Sequence, residues 1–196
     1  MKIAFVTTGY KPRINGLTSS VEAFSGVFRK LGHQVTIIAP KYPGYRDDDE
    51  NVVRIKSHYL FFDPEDRLPN PWLPSSRRII KRIIEQRYDI VHTHTHFLLE
   101  MDSIRWAKKM GCPMVYTYHT LFENYVMHYA KWFPAAFKVA FFRWWNIMYC
   151  NRMDLIFVPS SPLMALLRSY GIETNIEVNP TGINLTKFVA GGGATF

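Results

Sequence analysis

The chain has 196 residues, 47% of them hydrophobic and 15% aromatic, enough for a sizeable globular core and too apolar for a disordered segment. Lys and Arg total 24 against 16 Asp and Glu, and the net charge of +8 points to an anionic partner: nucleic acid, a phosphate-bearing ligand or an acidic lipid surface. Two cysteines, Cys112 and Cys150, lack C-x-x-C spacing, which excludes a disulfide framework and a structural zinc site and fits a reducing cytoplasm. The opening MKIAFVTTGY is too short and polar for the apolar part of a signal peptide, and no uncharged apolar run approaches the roughly 18 residues of a membrane span.

In chain order, MKIAFVTT (1–8) reads as a strand, and Leu17 to Leu31 as a helix with Gly32 at its C-cap. QVTIIA (34–39) is a second strand and 51–56 a third. The stretch from Asp63 to Pro74, with Pro64, Pro69, Pro71 and Pro74, reads as an irregular surface loop. A basic helix covers Ser75 to Gln86. YDIVHT is a strand, Leu98 to Met110 a helix closed by Gly111, and PMVYTY a strand. An aromatic helix runs from about Ala135 to Asn151, followed by strand LIFVP, helix Pro162 to Tyr170 closed by Gly171, and the short strand NIEVN. Continuous apolar strands alternating with helices predict an α/β domain, a doubly wound, mostly parallel Rossmann-like sheet with helices on both faces. In such sheets ligands bind beyond the carboxyl ends of the strands, so the residues just after each strand are the functional candidates.

The first of these loops, GYKPRING (9–16), passes through Pro12 and the turn-favouring pair Asn15-Gly16 into a helix that Thr18, Ser19 and Ser20 are placed to cap. A helix N-terminus entered through a glycine suits a phosphate. The nicotinamide fingerprint G-x-G-x-x-G and the P-loop are both absent. His92, His94 and His96 alternate in VHTHTHF, which raises a metal site beside packing or substrate contact. The strand ends near Thr93 and no carboxylate lies beside the histidines, so no metal is assigned. His119 stands where VYTY ends, at the ligand edge, and Glu123 can reach it if the following segment is helical. A histidine and a carboxylate near a phosphate loop suit group transfer.

Residues 131–152 carry eight aromatics, four basic residues and no acid. On a helical wheel Phe137, Phe141, Trp144 and Met148 form one stripe, and Lys138, Phe142, Trp145 and Tyr149 a second. Together they exceed the roughly 100° that one core-facing side needs, which leaves either a membrane-interface helix or one buried on both sides. The basic helix sets Arg77, Arg78, Lys81 and Arg82 opposite four isoleucines, a face suited to water or to anionic lipid.

Several of these stretches, RINGLTSSV, LGHQVTIIAP, DIVHTHTHF, YHTLFENYVMHY, RWWNIMYCNRMDLIFVPS and NPTGIN, resemble in order the amino-terminal half of retaining family 4 glycosyltransferases, above all the bacterial diacylglycerol glucosyltransferases. The resemblance covers the chain up to Phe188. It implies one half of a GT-B architecture: residues 1–182 as the Rossmann-like acceptor-binding domain, 183–196 as the start of an interdomain linker and a truncated tail, and a missing carboxyl-terminal donor domain. By position, Asn15 and Gly16 would approach the donor diphosphate and His119 would sit beside the reacting sugar as the catalytic residue. Tyr10, His94, His96, Glu123 and Tyr125 fall to the acceptor. Arg77, Arg78, Lys81, Arg82, Lys138, Phe142, Trp145 and Tyr149 would dock on the inner face of the cell membrane. The implied partners are a nucleotide-sugar donor (UDP-glucose) as substrate and a lipid acceptor, with no tightly bound cofactor, no indicated magnesium and no nucleic acid. Departures are Asn15-Gly16 where many relatives carry Gly-Gly, Asn124 where lipid-acceptor members tend to carry Asp, and the absence of two glutamates spaced eight apart. Alone, this half is expected to fold without transferring sugar.

Overall fold

The computed structural model describes residues 1–60, 63–119 and 134–180. Among them the order is β1 (Lys2–Val6), α1 (Gly16–Lys30), β2 (Gln34–Pro40), β3 (Val52–Ile55), β4 (Ser57–Leu60), β5 (Asp63–Pro69), α2 (Pro74–Glu85), β6 (Ile90–Thr93), α3 (Leu98–Met110), β7 (Met114–Thr117), α4 (Ala135–Cys150), β8 (Leu155–Val158), α5 (Ser161–Ser169) and β9 (Ile176–Val178). Seven of these strands form one sheet in the order β3-β2-β1-β6-β7-β8-β9, and every pairing in it is parallel.

The apolar runs demand this arrangement. In β1 the side chains of Ile3 and Phe5 enter one buried cluster with Val21, Val35 and Ile37, against Leu17, Phe24 and Phe28 of α1. The alternate residues Ala4 and Val6 enter a second, with Ile80 and Ile83 of α2, Leu99 and Trp106 of α3, Tyr149 of α4 and Leu167 of α5. A strand buried on both faces has no polar alternation to show, which is why these strands read as unbroken apolar stretches. Gly111 takes a left-handed φ of 69° at the end of α3, a conformation that a side chain resists.

Two local expectations change. The proline-rich segment is not an irregular loop: β4 and β5 pair antiparallel, with Ser57 opposite Pro69 and His58 opposite Leu68. A two-stranded ribbon outside the main sheet leaves its outer edges unpaired, where proline's missing N–H costs nothing. The cap of α1 is Asn15, whose Oδ1 accepts the Thr18 N–H at 2.9 Å, while the Thr18 hydroxyl turns back to the Arg13 carbonyl at 2.9 Å. The helix therefore begins at Gly16, one residue earlier than its apolar pattern suggests.

Candidate functional site

The chain leaves β1 toward β2 on one side and later returns to β6 on the other, so β1 and β6 flank the point where strand order reverses. Ligands of open α/β sheets bind at that crevice, beyond the carboxyl ends. The loops leaving β1 and β6 hold the phosphate-loop and histidine candidates, and a network ties them together. The Thr8 N–H donates to Thr95 Oγ1 at 3.0 Å, and the Thr8 hydroxyl to Glu100 Oε1 at 2.7 Å. The Thr95 hydroxyl donates to the same oxygen, and the Phe97 N–H to Oε2 at 3.1 Å. Glu100 is fully buried, and burial pushes its pKa up against the pull of these donors.

On the far side of the first loop Arg54 plays the matching part. Its guanidinium grips Asp47 at 2.6 and 2.8 Å, donates to the carbonyls of Pro40 and Lys11 at 2.7 Å each, and lies over the rings of Tyr10, Tyr42 and Tyr45. The loop is thus held at Thr8 and at Lys11, and delivers Asn15-Gly16 to the start of α1. Gly16 is exposed, a Cβ there would meet nothing within 4 Å, and the first turn carries no acidic residue. Open space over unpaired N–H groups at a helix's positive end suits an anion.

The histidines form a stack. His92 and His94 lie 4.3 Å apart between ring centroids at 22°, and His94 and His119 5.4 Å apart at 22°. His92 Nε2 is hydrogen-bonded to the Thr117 hydroxyl at 2.7 Å, and His94 Nδ1 to His119 Nε2 at 3.1 Å. Burial lowers all their pKa values: His92 to about 3, His119 to about 4, and His94 well below the ordinary value. The rings are neutral near pH 7. His96 departs from this stack. It binds the Tyr116 hydroxyl at 2.8 Å on the other side of the sheet, packs against Tyr118 and Tyr149, and burial lowers it to about 4. Among the described residues no group of three or more His, Cys, Asp or Glu side chains is arranged to hold a metal ion.

The site residues separate accordingly. Asn15 and Gly16 stand on the loop that leaves β1, His94 follows β6 and His119 follows β7, where the two histidines are hydrogen-bonded; of His92, His94 and His119 the last is partly open and the others are buried. Tyr10 is corrected from ligand contact to support: 4% exposed, it belongs to the cluster beneath α1 and carries Arg54 on its ring. His96 likewise is 4% exposed and props the core. Glu123 and Tyr125 lie outside the described residues, as does the side chain of Lys138.

The basic face of α2 stands as expected, with Arg77, Arg78, Lys81 and Arg82 exposed and Ile80 and Ile83 buried. On α4 the docking stripe is corrected. Tyr149 is fully buried, donating to Thr93 Oγ1 at 2.8 Å, and Trp145 turns its indole N–H to the His96 carbonyl at 3.1 Å. Phe142 is partly buried. The exposed aromatics are Phe137, Phe141 and Trp144, the last 56% open. No helix among the described residues is long and apolar enough to cross a membrane.

Glu100 and Arg54 escaped sequence reading. Glu100 had one local signal, a carboxylate at the third helical position able to reach back to the backbone N–H at the cap. Arg54 had none, because its partners lie 7 to 43 residues away.

The glycosyltransferase family 4 model matches residues 14–187. The alpha-monoglucosyldiacylglycerol synthase of Streptococcus pneumoniae is 29% identical over 189 residues, 96% of this chain and 42% of that protein. A GDP-mannose-dependent alpha-mannosyltransferase of Corynebacterium glutamicum is 27% identical over 184 residues, 88% of this chain and 41% of that protein. The chain therefore spans less than half the length of these relatives. Among solved structures, that of the Anabaena protein HepE in complex with UDP-glucose superposes with a TM-score of 0.58 at 11% identity, over 95% of this chain and 45% of that one. At that identity the likeness speaks for the fold.

Proposed function

The chain belongs to glycosyltransferase family 4, and from that premise we propose that it is the acceptor-binding half of a retaining enzyme that moves glucose from UDP-glucose to a membrane lipid such as diacylglycerol. The observation that carries this reading is that an open helix N-terminus at Gly16 and a neutral, partly exposed His119 both follow the carboxyl ends of strands in one sheet, β1 and β7. The first offers N–H groups to a diphosphate, and the second a hydrogen-bonding nitrogen to the sugar. The loop that leads to Gly16 is held from behind at Thr8 by Glu100 and at Lys11 by Arg54, and His119 is held by its hydrogen bond to His94, so the donor would meet groups already in place.

The lipid acceptor is supported by the diacylglycerol-glucosylating relative and by the exposed cations of α2 with the exposed aromatics of α4. Such a pair of surfaces suits an anionic bilayer that the protein rests on without crossing. The donor's nucleotide would be held by a second domain, in the part of the relatives' length that lies beyond this match.

The test is sugar transfer from UDP-glucose to diacylglycerol in anionic vesicles, by a protein that carries both halves. His119→Ala should lower kcat about a hundredfold or more, the effect of removing one hydrogen-bonding group from a charge-developing centre. Unchanged turnover would remove His119 from the site.

A further inference from the structure

We infer that His94 is a positioning residue that fixes the tautomer of His119, keeping its proton on Nδ1, so that His119 meets its ligand as a neutral hydrogen-bond donor. The inference deepens the reading of His119 as the sugar-side residue and rests on it for its functional meaning. The tautomer itself follows from the stack alone.

His94 Nδ1 and His119 Nε2 are 3.1 Å apart, so one proton lies between them and one nitrogen donates. The other nitrogen of His94 decides which. His94 is 1% exposed, and its Nε2 is buried without a hydrogen-bond partner among the described residues. Were His119 to donate from Nε2, His94 would accept at Nδ1 and carry its own proton on Nε2, an N–H sealed away with nothing to receive it. Were His94 to donate from Nδ1, its Nε2 would be a bare lone pair. Buried structures tolerate an unmet acceptor better than an unmet donor, so His94 donates and His119 accepts.

The geometry leaves His94 little freedom to choose otherwise. Its ring is clamped between His92 at 4.3 Å and Phe5 at 4.7 Å, and His92 is anchored in turn by the Thr117 hydroxyl. Burial also opposes a cation on either partner, which excludes the doubly protonated ring that would donate at both nitrogens. His119, accepting at Nε2, carries its proton on Nδ1, which has no partner among the described residues. The ring is partly exposed at the crevice. An N–H there donates to a sugar hydroxyl or a phosphate oxygen, and it supplies no base.

Nitrogen-15 NMR of the imidazoles in the 196-residue chain near pH 7 reads this directly, with the His119 signals assigned by their loss in His119→Gln. Expected are a pyrrole-like Nδ1 and a pyridine-like Nε2 for His119, the reverse of the tautomer that free histidine prefers. In His94→Leu, with its circular dichroism unchanged, the His119 signals should shift toward the Nε2–H form. A protonated Nε2 in the wild-type chain, or an unshifted spectrum in folded His94→Leu, overturns the inference. If His94→Leu does not fold, the wild-type spectrum alone decides. The spectrum needs no sugar donor, so a failure of the turnover test would remove the functional reading and leave the tautomer to be settled independently.

Discussion

Mild acid should destabilise this protein through its buried histidines. His92 and His96 are buried and neutral, with folded pKa values near 3 and 4, while in the unfolded chain each binds a proton near the ordinary histidine value of 6.5. A depressed histidine contributes stability when it is neutral, so the contribution is whole above pH 6.5 and is lost as pH falls toward the folded values. At pH 5.5 the unfolded state gains about 1.4 kcal/mol from each, about 3 kcal/mol for the pair. His94 and His119 are shifted in the same direction and add to the loss. Against a total stability of about 5–15 kcal/mol, this is enough to bring the chain near its unfolding midpoint by about pH 5. Urea unfolding followed by circular dichroism between pH 7.5 and 5 measures it, and His92→Gln should recover about 1.4 kcal/mol of the loss at pH 5.5. A stability flat across that range would show that these rings are not sealed from water, and the hydrogen-bond argument built on their burial would fall with it.

Arg54→Met should destabilise by about 3–5 kcal/mol, because it strands Asp47 and two carbonyls in a partly buried place, and the double variant with Asp47→Leu should regain much of the loss in the same urea assay. On the docking surface, replacing Arg77, Arg78, Lys81 and Arg82 with Gln should weaken sedimentation with anionic vesicles about a thousandfold at low salt, at about 1 kcal/mol per cation. Trp144→Ser should weaken it further, whereas Tyr149→Phe should leave it unchanged and cost about 1 kcal/mol of stability instead. Equal vesicle binding by all these variants would favour a soluble acceptor.

The sheet was legible because burial on both faces writes itself into sequence as unbroken apolar runs such as KIAFV and TIIA, and because glycines mark helix ends. The placement of His92, His94 and His119 was legible too, since they stand at or just beyond the ends of β6 and β7. What escaped was whatever depends on distance along the chain. The Glu100 network joins residues 92 apart, and no spacing rule reaches so far. On α4, periodicity revealed two aromatic stripes and no means of ordering them, because the inward face is chosen by Thr93 and the His96 carbonyl, which lie on another element. The β4–β5 ribbon was hidden for a different reason: proline is read as a breaker, and that holds inside a sheet and fails along an open edge.

The Glu100 junction also has a bearing on when the crevice comes into being. Thr8 is among the first residues made, yet its hydroxyl and amide find their partners only after Thr95 and Glu100 have been synthesised and β6 has taken its place beside β1. Pairings this far apart in sequence close slowly and late, after local helices have formed. The two loops are therefore aligned in one concerted closure, and a fragment cut short of residue 100 would keep the Asn15-Gly16 loop and His94 while losing both His119 and the clasp that aligns them.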